Sequence, residues 1–175
     1  MAITRLNHAV LYVRNVEESV RFYTEALGFR PVARLSGLHG AAFLQASGST
    51  NDHDLGLFEV GAAAGDSGAG RGRVGLYHLA WEVDTLSALA QVMRTLVERR
   101  ALIGTVDHGT TKSLYGRDPD GIEFEVAWVV PADRLDAEAL ANVSGGRLDL
   151  EREKARYGPD LQGGVGISVS APLRG

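Results

Sequence analysis

The sequence predicts an α+β fold built from two β-α-β-β-β modules, and three observations carry that expectation. The segment Leu6-Asn7-His8-Ala9-Val10-Leu11-Tyr12-Val13 returns as Leu76-Tyr77-His78-Leu79-Ala80-Trp81-Glu82-Val83, with leucine, histidine and the terminal valine in register at an offset of 70 residues. Each copy precedes a stretch with apolar residues at helical spacing. Between the copies, residues 61–75 are rich in glycine and alanine and read as a flexible linker.

The elements follow in order. Leu6–Val13 alternates as a strand does, so His8, Val10 and Tyr12 share one face. Asn15 is placed to cap a helix, Glu18 stands three residues later as in a capping box, and Gly28 closes it. Its expected buried stripe is Val16, Val20, Tyr23 and Leu27. Strands are expected near Pro31–Leu35, Ala41–Gln45 and Leu55–Val60, which completes a first module over 1–60. The linker ends without the Gly-Lys-Ser/Thr of a phosphate-binding loop. The second module, 76–130, repeats the order with a helix bearing Leu86, Leu89, Met93 and Leu96 on one stripe. Its further strands are expected at 102–106, 112–117 and 122–130, the last two joined by the turn Asp118-Pro119-Asp120-Gly121. Residues 131–175 form an extension with two short helices, Leu135–Asn142 and Leu148–Tyr157, then Gly158-Pro159 and a loose tail.

Composition narrows the function classes. The 175 residues carry a formal charge of -4 with no long basic block, which argues against nucleic acid as partner. With no cysteine, disulfides, thiolate metal sites and cysteine nucleophiles are excluded, so any metal is held by histidine, carboxylate or other oxygen donors. No apolar run is long enough to span a bilayer and the first residues lack a signal-peptide pattern, so a cytoplasmic protein without a membrane partner is expected.

Of the five histidines, His8 and His78 stand apart because they hold one position in two copies of a unit. Two-fold pairing of the modules would turn both imidazoles into a shared cleft. A divalent metal there also needs an anionic donor, and Glu123 and Glu125 lie on one strand face between Ile122, Phe124 and Val126. Two histidines and one carboxylate would leave open positions, the facial arrangement of non-haem Fe(II) oxygenases.

The duplicated unit, the paired histidines and Asp118-Pro-Asp-Gly-Ile-Glu-Phe-Glu125 resemble the vicinal-oxygen-chelate superfamily of glyoxalase, bleomycin-resistance and extradiol-dioxygenase proteins, over about residues 4–130. The resemblance implies paired modules whose curved mixed sheets enclose a metal cleft. It implies His8, His78 and Glu125 as metal ligands, the glutamate coming four residues after the turn glycine. Isomerases of the family carry a fourth, glutamate ligand on the last strand of module one. Gly56 takes that place in one register and Glu59 in another. The stretch His108 to Gly121 resembles catechol 2,3-dioxygenases, in which a tyrosine ten residues before the ligand glutamate hydrogen-bonds the bound diol; Tyr115 has that spacing. His108 is the candidate acid/base. His53, in Asn-Asp-His-Asp, resembles a His-Asp element of relatives and stays outside the catalytic set.

The function so implied is extradiol cleavage of a catechol-like ring by Fe(II), with Mn(II) or another divalent metal as substitute. The substrates would be a small aromatic diol and O2, and a homo-oligomer is expected. The rival readings are a four-ligand isomerase, epimerase or lyase, and a metal-free drug-binding protein.

Overall fold

A computed structural model describes residues 2–3, 5–33, 37–70, 72–142 and 144–166. The chain forms two units: residues 1–68 with 118–122, and residues 69–117 with 123–175.

In the first unit, β1 (Ala9–Val13) leads into α1 (Val16–Leu27), followed by β2 (Arg30–Pro31), β3 (Ala41–Gln45) and β4 (Leu55–Glu59). The sheet order is β1-β4-β3-β2, with β1 and β4 parallel and the other pairs antiparallel. In the second unit, β5 (Leu79–Glu82), α2 (Leu86–Glu98), β6 (Leu102–Asp107), β7 (Thr111–Arg117) and β8 (Glu123–Val129) repeat that plan. The order is β5-β8-β7-β6, again with the first and last strands parallel. The expected α+β class and the two β-α-β-β-β units are therefore present. The expected strand Pro31–Leu35 is seen only as β2, and its residues 34–35 lie outside the described set, as does the tail from 167.

Local chemistry explains the helix ends. The Asn15 side chain accepts from the Glu18 amide at 2.8 Å, and Gly28, at φ 74°, gives its N–H to Thr24 O. Thr85 caps α2 through the Ala88 amide at 3.1 Å. The buried face of α1 is Val16, Ser19, Phe22, Tyr23 and Ala26, turned from the expected stripe. Small Ser19 and Ala26 let the helix approach its sheet, while Val20 and Leu27 move to the flank. On the sheet, Leu11, Val13, Leu44, Leu55 and Leu57 complete this core. The second core joins Leu86, Leu89 and Leu96 of α2 to Leu114, Phe124, Val126 and Trp128 of the sheet. Each such side chain, removed from water, contributes about 1.5–3 kcal/mol.

The Asp118–Gly121 turn is built as its sequence demands. Asp118 Oδ1 accepts from the amides of Asp120 and Ile122, both at 2.9 Å, and Gly121 takes φ 78°. Asp118 Oδ2 accepts from the Tyr23 hydroxyl at 3.1 Å. Burial pushes the Asp118 carboxyl up to about 6, against these hydrogen bonds.

The extension supplies α3 (Ala137–Ala141) and α4 (Leu150–Tyr157), both within the expected spans. It packs in the second unit, where Ser87 N donates to Pro159 O at 2.8 Å and Trp128 Nε1 to Leu161 O at 3.3 Å. Among the described residues no helix is long and apolar enough to cross a membrane.

Candidate metal centre

The face of the second sheet opposite α2 carries the candidate residues Glu125 and Tyr115. Alternation along β8 sends Phe124, Val126 and Trp128 into the core, so Glu123 and Glu125 emerge on the other face. The two glutamates then part company. Arg117 holds Glu123 through an Nη2–Oε1 contact of 2.7 Å, whereas Glu125 Oε2 lies 3.1 Å from His78 Nε2. His78 ends the segment entering β5, whose Ala80 pairs with Glu125. That strand pairing explains why the imidazole and the carboxylate meet.

Tyr115 is paired with Glu125 across β7 and β8, and its ring stands 5.7 Å from that of His78. Its phenol is pushed up to about 12, first by burial and then by the Glu125 charge and hydrogen bond. Tyr115 therefore keeps its proton at ordinary pH and faces the site as a donor. His108, from the loop between β6 and β7, brings Nε2 to 2.9 Å from the Tyr115 hydroxyl. The four side chains are joined by successive contacts, His78 to Glu125, Glu125 to Tyr115 and Tyr115 to His108.

The donor set suits a divalent cation. His78 Nε2 faces the Glu125 carboxylate, while Nδ1, the other ring nitrogen, is buried without a hydrogen-bond partner. Among the described residues no three histidine or acidic side chains are gathered as a ready cluster.

His8 belongs to the first unit. Its ring lies 4.6 Å from that of His53, which in turn packs edge-on against Phe43 at 5.0 Å. His8 Nδ1 pairs with Asn7 Oδ1 at 2.7 Å. His8 precedes β1 as His78 precedes β5, so the two are equivalent within their units.

Strand register also addresses the fourth-ligand position. Val10 pairs with Gly56 as its counterpart Ala80 pairs with Glu125, which makes Gly56 the counterpart of the glutamate. A Cβ on Gly56 would sit 3.3 Å from Val10 and 3.4 Å from the Phe43 ring, so the aromatic ring covers the place a side chain would take. Glu59 lies at the end of β4, where Oε2 accepts from the Val16 amide at 3.0 Å and serves the start of α1.

The sequence reading passed over two partners. Lys112 is fully buried, and it alternates with Leu114 and Gly116 on the core face of β7; a lysine on an apolar face was the available signal. Asn142, which donates to Asp107 O at 3.0 Å, carried no local signal because that contact is nonlocal.

Comparison with known proteins agrees with the architecture. The profile of the family described as "Glyoxalase/Bleomycin resistance protein/Dioxygenase superfamily" matches residues 5–126. The chain is 30% identical over 123 residues to a catechol-2,3-dioxygenase of Bacillus subtilis (strain 168), an alignment covering 70% of this chain and 41% of that protein. The chain thus spans about two fifths of that curated relative's length. Among solved structures, a glyoxylase/bleomycin resistance protein/dioxygenase domain from Frankia sp. EAN1pec aligns with a TM-score of 0.59 and 24% identity, over 72% of this chain and 92% of that one. A lactoylglutathione lyase from Agrobacterium tumefaciens gives 0.52 and 20%, over 73% and 95%. At these identities the two structures bear on the fold alone.

Proposed function

Since the chain belongs to the glyoxalase/bleomycin resistance protein/dioxygenase superfamily, we propose that it is an Fe(II)-dependent extradiol dioxygenase acting on a catechol-like diol with O2. The observation that carries this reading is the series of contacts His78–Glu125–Tyr115–His108, with a 3.1 Å imidazole–carboxylate contact at one end and a 2.9 Å imidazole–phenol contact at the other. It unites metal donors with a proton-bearing pair on one sheet face. The similarity to a catechol-2,3-dioxygenase supports the same class.

His78 and Glu125 would hold the metal, and His8, by its equivalence to His78, would be the third donor. Mn(II) is the alternative occupant, because imidazole and carboxylate suit both ions. When bound, the metal supplies Lewis acidity and a template for two vicinal oxygens and O2. The protein's own part is orientation and proton handling. Tyr115 Oη donates a hydrogen bond to a diol oxygen as negative charge gathers there. His108 Nε2, in contact with the same hydroxyl, takes up and returns the proton that the diol gives up.

A four-ligand isomerase would need a carboxylate where Gly56 stands, and Glu59 already serves Val16 N. A metal-free binding protein would leave the His78–Glu125 pair and the orphaned His78 nitrogen without a use.

The test is oxygen uptake by anaerobically Fe(II)-loaded protein with a panel of catechols, followed by absorbance of the ring-fission product. We expect coloured product in the parent, and loss of bound iron together with at least about a hundredfold fall in uptake in His78→Ala and Glu125→Ala. No uptake with any catechol, in protein that holds another metal tightly, would transfer the assignment to the isomerase reading.

A further inference from the structure

The extension, residues 131–175, lies outside the family match, which ends at residue 126, yet it reaches the loop that carries His108. That loop is held at several points. The backbone of Asp107 exchanges two hydrogen bonds with Gly146, at 2.8 and 2.9 Å. The Asn142 side chain, at the end of α3, donates to Asp107 O at 3.0 Å. Gly109 has φ 74°, and a Cβ there would collide with the carbonyl oxygen of Ala139, so α3 lies directly against the loop. A Cβ on Gly145 would come within 3.4 Å of His108 Nδ1, the ring nitrogen that does not face Tyr115.

The Asp107 side chain is fixed as well. Its Oδ1 accepts from the Gly109 amide at 2.8 Å and from the ammonium of Lys112. Lys112 is 0% exposed, and its Nζ lies 3.0 Å from Glu153 Oε2 of α4, itself 2% exposed. A buried carboxylate of the extension is thus tied through one lysine to the residue before His108. The helices are also fixed to each other, since Arg156 of α4 pairs with Asp136, the cap of α3, at 2.7 Å.

We infer that the extension positions the proton-transfer histidine: Asn142 and the Lys112–Glu153 pair hold the His108–Thr110 loop so that Nε2 stays on the Tyr115 hydroxyl. Asn142, Lys112 and Glu153 are positioning residues and touch neither substrate nor metal. The inference rests on the role given to His108 above, and loops placed by such contacts govern rate strongly, because small misplacements cost large factors.

The experiment uses the full chain with Asn142→Ala, His108→Ala and the double variant. Turnover is measured with a catechol. The reactivity of His108 towards diethyl pyrocarbonate is read by mass spectrometry against exposed His39. In Asn142→Ala we expect kcat to fall about tenfold with KM within about twofold, and His108 to be modified about fivefold faster. In the His108→Ala background, Asn142→Ala should lower kcat no further, a silence that a merely structural role would not produce. Unchanged His108 reactivity, or a full loss of kcat in the His108→Ala background, overturns the inference. The labelling needs neither metal nor substrate. Faster labelling in a protein that never consumes oxygen would therefore sink the dioxygenase reading alone. If Asn142→Ala does not fold, Glu153→Gln, which keeps shape and removes the charge, is taken through both readouts.

Discussion

At the residue scale, the question is why Tyr115 rather than another aromatic stands beside His78 and Glu125. Tyr115 faces Glu125 across the β7–β8 ladder, and its phenol is raised to about 12, so it offers a proton without releasing it. A fixed donor aimed at a developing oxyanion is worth on the order of 10²–10³ in rate. We therefore expect Tyr115→Phe to lower kcat on a catechol about a hundredfold while metal content stays unchanged. Steady-state kinetics with iron analysis checks this, and an unaltered kcat would remove the tyrosine from the mechanism. Glu123 and Glu125 show how far sequence alone reaches. Alternation puts both on one face, but Arg117 is what occupies Glu123 and leaves its neighbour for His78. That choice depends on a side-chain reach across strands, which periodicity does not encode. Gly56 is a similar case. Its equivalence to Glu125 follows from pairing with Val10, a register that no local pattern fixes.

At the element scale, the turn between β7 and β8 makes a pH prediction with a definite sign. The Asp118 carboxyl rises from its ordinary 3.8 to about 6 in the folded chain, mainly through burial. The folded state then binds the proton more tightly than the unfolded one. The associated stability is present in full below about pH 4 and is lost as pH climbs through about 6. A shift of about two units corresponds to at most about 3 kcal/mol. Urea denaturation of the parent and of Asp118→Asn between pH 4.5 and 7 should show the parent losing ground to the variant over that window. A pH-independent gap would contradict it. The turn itself was readable because Asp-Pro-Asp-Gly states its geometry locally, and so was the helix cap at Asn15. The buried face of α1 was not, since Ser19 and Ala26 face the sheet for closeness and not for hydrophobicity. Gly116 makes a related packing demand. A Cβ there would strike the Phe124 ring, and Gly116→Ala should cost about 1–3 kcal/mol by chemical denaturation.

At the scale of the whole molecule, the duplication was legible because it repeats short signals 70 residues apart, whereas the docking of the extension was not. Docking depends on Lys112 meeting Glu153 across a long stretch of chain, and on Trp128 closing against Tyr157 at a ring distance of 5.5 Å. The sequence hint was a lysine on an apolar strand face, which is stable only with a partner. This pair yields a prediction that separates attraction from desolvation. Burying two ions costs several kcal/mol each, and their mutual attraction offsets that cost only while both are present. Removing one partner leaves the other stranded, so Glu153→Leu should destabilise the protein by about 3–5 kcal/mol. Replacing both, as Lys112→Met with Glu153→Leu, deletes the stranded charge and should recover most of that loss. Asp107 would remain, part-exposed and able to reach water, so its lost contact with Lys112 should cost little in stability. Equilibrium denaturation of the parent, the two single variants and the double variant forms a complete cycle. A double variant as unstable as the sum of the singles would mean that Lys112 and Glu153 are not coupled, and would contradict their reading as a mutually dependent pair. A recovered double variant whose kcat is still depressed would show the pair acting on His108 in addition to the fold, because stability and turnover would then have come apart.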